Sequence, residues 1–455
     1  MARLVIMSNR VANARDRTQK AGGLAVTLQE ALKGEVLWFG WSGRVSGKPN
    51  SAPDIVVEKR ISYATIDLTE SEYRHFYVGF SNSTLWPLFH FRLGLVEYLR
   101  EDYRVYGEVN KKFAAAVVPL LRPDDTIWVH DYHLIPMATL LREREQTQRI
   151  GFFLHIPFAP PEVMEILPAT AGIVANLCAY DVVGFQTEAD CRNFRACAEV
   201  YTDARVTATG DLLIDNRVIR VVAVPAGIDA TAFARMSDAS VKSKEAKRLQ
   251  ESLVGRKLMV GVDRLDYSKG LTNRFEAYSS LLDRFPEHRS KISYLQIAAR
   301  SREDVLRYQN LKRDLDRICG KVNGKFAEFD WVPLRYMTRS VPRKLLAGFY
   351  RSARIGLVTP LRDGMNLVAK EFVAAQSDED PGVLILSKFA GAAESLKDAL
   401  IVNPYDTDEI AEAIHQAAVM PIAERRARHA ALKAVVQQQS AAAWCRQFME
   451  HLAAA

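Results

Sequence analysis

Cysteine is scarce. Five residues, Cys178, Cys191, Cys197, Cys319 and Cys445, are spread through a chain of 455, and no two form a C-x-x-C pair. An odd number at these spacings excludes a disulfide framework and a cysteine-based zinc site as organising features. Long apolar runs are missing too. No stretch approaches the ~18 consecutive apolar residues of a membrane span, and the apolar run in MARLVIMSNR is too short for a secretory leader, so the sequence predicts a cytoplasmic protein with no membrane partner. Charge of either sign is nearly balanced, 61 Lys plus Arg against 54 Asp plus Glu, and the net +7 describes a general attraction for anions. The sequence carries neither a dense basic run nor a recognition motif, which argues against nucleic acid as the partner and leaves phosphorylated small molecules. H-E-x-x-H, Walker A and G-x-G-x-x-G patterns are all absent, so no metal or cofactor is implied, and a P-loop NTPase or a nicotinamide enzyme is disfavoured.

What is present is a regular alternation. Short β-branched or aliphatic runs exchange with longer amphipathic segments from end to end, the pattern of βα units around parallel sheets, and the fold class is therefore α/β. In the first half the sequence predicts strands over 4–8, 36–41, 126–130, 150–155, 181–185 and 218–224, with helices over 24–33, 95–115, 134–144 and 188–200. Thr69 and Glu72 have the spacing of a capping box that opens a further helix. After Pro225 the chain turns to small and charged residues without a strand run, which places a domain boundary at 238/239. A second α/β series follows, with strands over 257–262, 292–298, 354–359, 383–386 and 400–402 and helices such as 302–318 and 408–418. The domains expected are 1–238, 239–425 and a helical tail over 426–455, the tail being rich in Ala, Gln, Arg and Leu. Two Rossmann-like, doubly wound parallel sheets hold ligands beyond the carboxyl ends of their strands, and facing domains would share one cleft.

The residues that matter should then lie just after strands. KLMVGVDRLDYSKG ends a buried strand and crowds Arg264, Asp266 and Lys269 into the loop before a helix, which suits a phosphate. Alone, such a loop is as readily a solvated surface. ARIGLVT runs into PLRDGMNLVAKEF, with Asp363 at the loop apex, Gly364 at a turn and a helix N-terminus over Met365, Asn366, Leu367 and Val368. Glu371 follows Asp363 by eight residues, about two turns of helix, so both acids would face one ligand. In the first half Arg10 sits on the loop after the first strand, and Gly22 with Gly23 opens a helix where backbone can approach a diphosphate. TIWVH leads into Asp131 and His133, and IGFFLH ends on His155 at the same sheet edge. Trp41, Tyr77 and Trp86 are expected in the core, although aromatic faces also stack on sugar rings.

Taken in order, SNR, AGGLA, WFGWSG, LWPLFH, HDYHL, HIPF, DRLDYSKG and PLRDGMNLVAKEF resemble the trehalose-6-phosphate synthases, family 20 glycosyltransferases of the two-Rossmann GT-B fold, over roughly residues 1–420. The resemblance implies a retaining transfer of glucose from a nucleotide-glucose donor, UDP-glucose by preference, to glucose 6-phosphate, giving α,α-trehalose 6-phosphate. It assigns the donor diphosphate to Arg264, Lys269 and the backbone near Gly22 and Gly23. Donor glucose goes to Asp363 with the Gly364 to Asn366 loop, ribose to Glu371 beside Leu367 and Val368, and the base to the region of Val341. Arg10, Tyr77 and Arg302, with Trp41 nearby, would meet the acceptor phosphate and Asp131 the acceptor sugar. His155 would contact the transferred glucose, while Trp86 and Ile156 would select the acceptor anomer. The acceptor groups come largely from the first domain and the donor groups from the second, so closure is expected, with Arg302 reporting it.

Departures from the family pattern are Ala159, Pro160 and Pro161 after HIPF, and Val341 where some members carry Phe. A fused phosphatase domain is not expected after the second domain, and a homo-oligomer is compatible with this reading. In the GT-B fold a terminal helix often crosses back to the first domain, and the resemblance allows the helical tail over 426–455 to do so. Relatives that make glucosylglycerol phosphate or act as pseudo-glycosyltransferases are the competing enzymes. A catalytically silent, sugar-phosphate-binding regulatory subunit is the competing reading of another class, opposed by the presence of Arg264, Lys269, Asp363 and Glu371.

Overall fold

The computed structural model describes residues 3–11, 34–50, 52–301 and 306–455; Gly22, Gly23, the helix expected over 24–33 and Arg302 lie outside the described residues. The chain forms two compact units, Met1–Pro225 with Ala441–Ala455, and Ala226–Ser440.

The first unit is built on strands β1 (Leu4–Arg10), β2 (Val36–Val45), β3 (Asp54–Glu58), β4 (Ile61–Leu68), β5 (Thr126–His130), β6 (Arg149–Phe153), β7 (Val182–Phe185), β8 (Arg205–Val206), β9 (Leu212–Ile214) and β10 (Arg217–Ala223). Their spatial order is β3-β4-β2-β1-β5-β6-β7-β10-β9-β8. From β4 to β10 every pairing is parallel, and antiparallel hairpins finish both edges. The parallel strands read as continuous apolar runs because helices cover both faces. The exposed edge hairpin β3–β4 has no such run on its outer strand, where Ile55 is 52% and Val57 66% exposed, and it escaped the sequence reading for that reason. The capping box expected at Thr69 is formed: the Thr69 hydroxyl accepts from Glu72 N–H at 3.1 Å, and Glu72 accepts from Thr69 N–H at 2.7 Å. Beyond it the helix widens to a π-helical stretch over Tyr73–Leu85.

The second unit contains β11 (Lys257–Arg264), β12 (Ile292–Ala299), β13 (Leu334–Met337), β14 (Ile355–Val358), β15 (Val383–Ser387) and β16 (Leu400–Val402), ordered β13-β12-β11-β14-β15-β16 and parallel throughout. Strand alternation divides its core. Met259, Val383 and Ile385 face one apolar layer with Phe275, Tyr278 and Tyr294, whereas Val260, Leu384 and Leu386 face the other with Tyr350 and Phe372.

Two boundaries differ from the sequence expectation. The units part after Pro225, not at 238/239, because the helix Ala230–Ser240 buries Phe233 in the second core, 6.3 Å from the ring of Tyr350. The tail is two helices, Ile422–Gln438 in the second unit and Ala441–Ala453 in the first. The last helix lays Phe448 flat on Trp128, with ring centroids 4.6 Å apart, and Trp444 against Phe153 at 5.2 Å. Gly151 on β6 and Gly184 on β7 leave room for this, since a Cβ on either would stand 2.8 or 2.7 Å from the Phe448 ring.

Candidate active site

In each unit the strand order turns about a central strand, β1 between β2 and β5, and β11 between β12 and β14. Open α/β sheets bind ligands beyond the carboxyl ends of the strands at such a switch point. Among the described residues, Arg10 ends β1 and Asp131 follows β5 in the first unit, while Arg264 ends β11 and Asp363 follows β14 in the second.

In the second unit β11 ends on Arg264, whose side chain is exposed, and the loop to Gly270 follows. This loop is tied to the one after β14. Leu361 N–H donates to the Ser268 carbonyl at 2.8 Å, and Lys269 Nζ meets Asp363 Oδ2 at 2.5 Å with Lys269 only 8% exposed. The Asn366 amide donates to the same carboxylate oxygen at 3.0 Å. Asp266 is buried and turns the loop by accepting Ser268 N–H at 3.0 Å. Gly270 is required: its φ is +65°, and a Cβ would stand 2.5 Å from the Thr359 carbonyl.

Beneath the loop lies a residue that the sequence reading missed. Arg274 is fully buried, pairs with Asp263, and donates to Thr359 Oγ1 at 2.9 Å and to the Lys269 carbonyl at 2.9 Å. One guanidinium thus braces both loops from below. Its only sequence signal is a charge on the inner face of the helix Leu271–Arg284, between Leu271, Phe275 and Tyr278.

The helix N-terminus expected over Met365 to Val368 is formed, with the helix beginning at Leu367. Asn366, at φ +78°, caps it by accepting Ala369 N–H at 3.2 Å, so Asp363 belongs to the loop and the two-turn spacing to Glu371 does not apply. The first-turn N–H groups of such a helix lack partners within it and favour an anion. Gly364 and Met365 are buried, Leu367 and Val368 part-buried. Glu371 is paired with Arg343, Nε to Oε1 at 2.9 Å, a partner the sequence did not indicate. Val341 borders a cavity of about 350 Å³ floored by Leu249, Leu295, Met337, Leu345 and Phe349.

In the first unit Arg10 is the last residue of β1 rather than a loop residue, because the strand runs on beside Trp41. Its guanidinium stands 5.7 Å from the Trp41 ring. From there aromatic contacts continue through Tyr77, 5.5 Å from Trp41, to His133, stacked on Tyr77 at 5.9 Å. Tyr77 lies on the π-helical stretch, a form frequent at functional sites. The Asn82 amide donates to the Tyr77 carbonyl at 2.7 Å and accepts the Tyr132 hydroxyl at 2.9 Å, and Trp86, 4% exposed, packs on Tyr132 at 5.8 Å.

Asp131 follows β5 at φ +72°, ψ 165°, a conformation costly for a residue with a side chain and most often met at active sites. Asp131 N–H donates to the Phe153 carbonyl at 2.9 Å, and its carboxylate lies 3.4 Å from His155 N. Successive strands thereby bring Asp131 and His155 together, as their places in the sequence predicted. His155 Nε2 is 3.1 Å from His130 Nδ1, and Trp444 closes on the ring edge-on at 5.8 Å. Burial pushes His155 down to about 3 and His130 well below its ordinary value. His155 is therefore a neutral imidazole. Ile156 beside it is 5% exposed.

Two doubly wound units in one chain, each with charged residues gathered at its switch point, have the architecture of the GT-B glycosyltransferases. The sequence profile of glycosyltransferase family 20 matches residues 3–454, and the chain belongs to that family. A trehalose-6-phosphate synthase of Cronobacter sakazakii is 45% identical over 453 residues, covering 99% of this chain and 95% of that protein. The α,α-trehalose-phosphate synthase (UDP-forming) of Burkholderia vietnamiensis superposes with a TM-score of 0.97 at 46% identity, covering 100% of this chain and 97% of the other. The corresponding Burkholderia xenovorans enzyme, solved in complex with glucose 6-phosphate, gives 0.95 at 45% identity over 99% of this chain and all 100% of its own.

Proposed function

We infer that this chain transfers glucose from UDP-glucose to glucose 6-phosphate, forming α,α-trehalose 6-phosphate and UDP. The observation that carries the reading is the pair Lys269–Asp363, which joins the loops after β11 and β14 ahead of the N-terminus of the helix Leu367–Ala375. Similarity to UDP-forming synthases along the whole chain supplies the substrates.

Departure of a diphosphate from the anomeric carbon builds negative charge on the leaving oxygen and positive charge on the sugar ring. Lys269, Arg264 and the first-turn N–H groups of the helix are preorganised donors that strengthen as that charge develops. Asp363 orients Lys269 and is the acceptor for donor-glucose hydroxyls. Glu371, steadied by Arg343, is placed for the ribose, with Leu367 and Val368 offering backbone beside it. In the first unit Arg10, with Trp41 and Tyr77, is the anion site for the acceptor phosphate, and Asp131 the hydroxyl acceptor for its sugar. Trp86 and Ile156 make the wall that selects the anomer, and neutral His155 contacts the transferred glucose without placing a second cation beside the developing oxocarbenium ion. Gly22, Gly23, Arg302 and Val341 keep the roles that the family resemblance gives them.

Retention follows from a front-face path. The leaving phosphate accepts the proton of the incoming hydroxyl as the new bond forms on the face the diphosphate vacates, so no protein nucleophile is required. A trapped glycosyl ester on Asp131 or any other side chain would overturn this path. The deciding experiment is a panel of UDP-, ADP- and GDP-glucose, each with glucose 6-phosphate or glycerol 3-phosphate, followed by product identification. UDP release with glucose 6-phosphate and a non-reducing disaccharide phosphate are expected. Binding of UDP and glucose 6-phosphate without release of UDP from UDP-glucose would make the chain a regulatory subunit.

A further inference from the structure

The helix Leu367–Ala375 carries one charged side chain that the mechanism above leaves unused. Lys370 is 0% exposed, and its Nζ donates to the Ala226 carbonyl at 2.7 Å and to Gln439 Oε1 at 2.9 Å. Burial lowers its ammonium to about 7. An apolar side chain would fill the same space without that desolvation cost, so the two hydrogen bonds are what distinguish a lysine here.

Both acceptors sit where the chain passes between its units. Ala226 is the first residue of the second unit after Pro225, and Gln439 precedes the exit at Ser440. The two stretches lie side by side within the second unit: a Cβ on Gly227 would stand 1.7 Å from the Gln439 carbonyl oxygen, so only glycine permits the approach. Ser395 Oγ also donates to Gln439 Oε1, at 3.2 Å. On the same helix Leu367 is one turn before Lys370 and Glu371 is the next residue.

We propose that Lys370 is a positioning residue for the nucleotide-sugar donor, anchoring the helix Leu367–Ala375 to Ala226 and Gln439 and thereby fixing where Leu367, Val368 and Glu371 stand. The proposal rests on the reading of this helix as part of the donor site. Its physical content is that Arg343, His429 and Arg351 hold the helix through Glu371 and the carbonyls of Val373 and Ala375, whereas Lys370 supplies the buried two-point tie next to Glu371, and small misplacements of binding groups are expensive.

The test uses the full chain carrying Lys370→Met, and separately Gln439→Leu, which removes one acceptor and leaves the lysine. Four quantities are measured: the KM for UDP-glucose, the dissociation constant of UDP by calorimetry, the KM for glucose 6-phosphate and the melting temperature. For Lys370→Met the two donor quantities are expected to rise about tenfold or more while the acceptor KM stays within about twofold. Gln439→Leu is expected to shift the same quantities in the same direction by less, and Lys370→Arg to recover part of the loss. A residue that only supports the core would lower the melting temperature and leave the donor constants of the folded protein unchanged, and that result in both variants overturns the proposal. Should Lys370→Met not fold, Gln439→Leu decides by the same criterion. Failure of the parent protein to bind UDP would instead overturn the donor reading, and the proposal with it.

Discussion

At the scale of single residues, the contacts divide the candidates by role. Lys269 is buried, braced through its carbonyl by Arg274 and paired with Asp363, and the proposed function gives it the charge of the leaving diphosphate to stabilise. Lys269→Ala is expected to lower kcat by about 10²- to 10³-fold with little change in the KM for glucose 6-phosphate, read from UDP release. Asp363→Asn, which removes the charge that orients the lysine, should also reduce turnover. The two buried histidines make a prediction of another kind. His155 and His130 are both lowered by burial, so between the depressed values and the ordinary value of 6.5 the unfolded chain binds more protons than the folded one. Stability then rises with pH through that window and is lost as pH falls below about 6.5, each histidine contributing at most about 1.4 kcal/mol per pH unit. Urea unfolding at pH 7 and pH 4.5 checks this; His155→Gln should show a shallower loss, and an equally steep one would refute the assignment.

At the scale of elements, the site depends on loops held by backbone geometry. Gly270→Ala is expected to destabilise the protein by more than about 1 kcal/mol, because the new Cβ meets both a left-handed φ and the Thr359 carbonyl, and to raise the KM for the donor. Asn366→Ala removes a helix cap, at a cost of about 1 kcal/mol, together with a hydrogen bond to Asp363. Thermal melts and donor kinetics test both. Most of the parallel strands were legible because burial on two faces writes them as apolar runs, and Asp131, His155, Arg264, Lys269 and Asp363 were legible as polar groups at or just after the ends of such runs. Strand β13 and the β3–β4 hairpin were not, since Arg335 and Tyr336 or exposed Ile55 and Val57 break the pattern that buried strands obey. The π-helical widening over Tyr73–Leu85 has no sequence signature beyond the capping box that opens it.

At the scale of the molecule, the last helix completes the first unit rather than extending the second. Trp444 contacts Trp128, Phe153, His130 and His155, so the chain's final segment supports the strand ends that carry Asp131 and His155. Trp444→Ala is expected to cost about 3–5 kcal/mol and to reduce activity in the fraction that stays folded. Denaturant melts beside specific activity would show it, and unchanged activity would separate this helix from the site. The sequence by itself determined the α/β class, the order of the strands along the chain and the chemical types waiting at their ends, because local burial period and loop chemistry are properties of neighbouring residues. Only the tertiary structure decided which of these groups meet. Arg274 on Thr359, Arg343 on Glu371, Lys370 between Ala226 and Gln439, and Trp444 on His155 are contacts between residues tens to hundreds of positions apart, and no local pattern encodes such pairings. The division after Pro225 belongs to the same group, since it depends on which apolar surface the helix Ala230–Ser240 finds to bury and not on that helix's own composition, whereas the return of the last helix to the first unit is one that the family resemblance allowed.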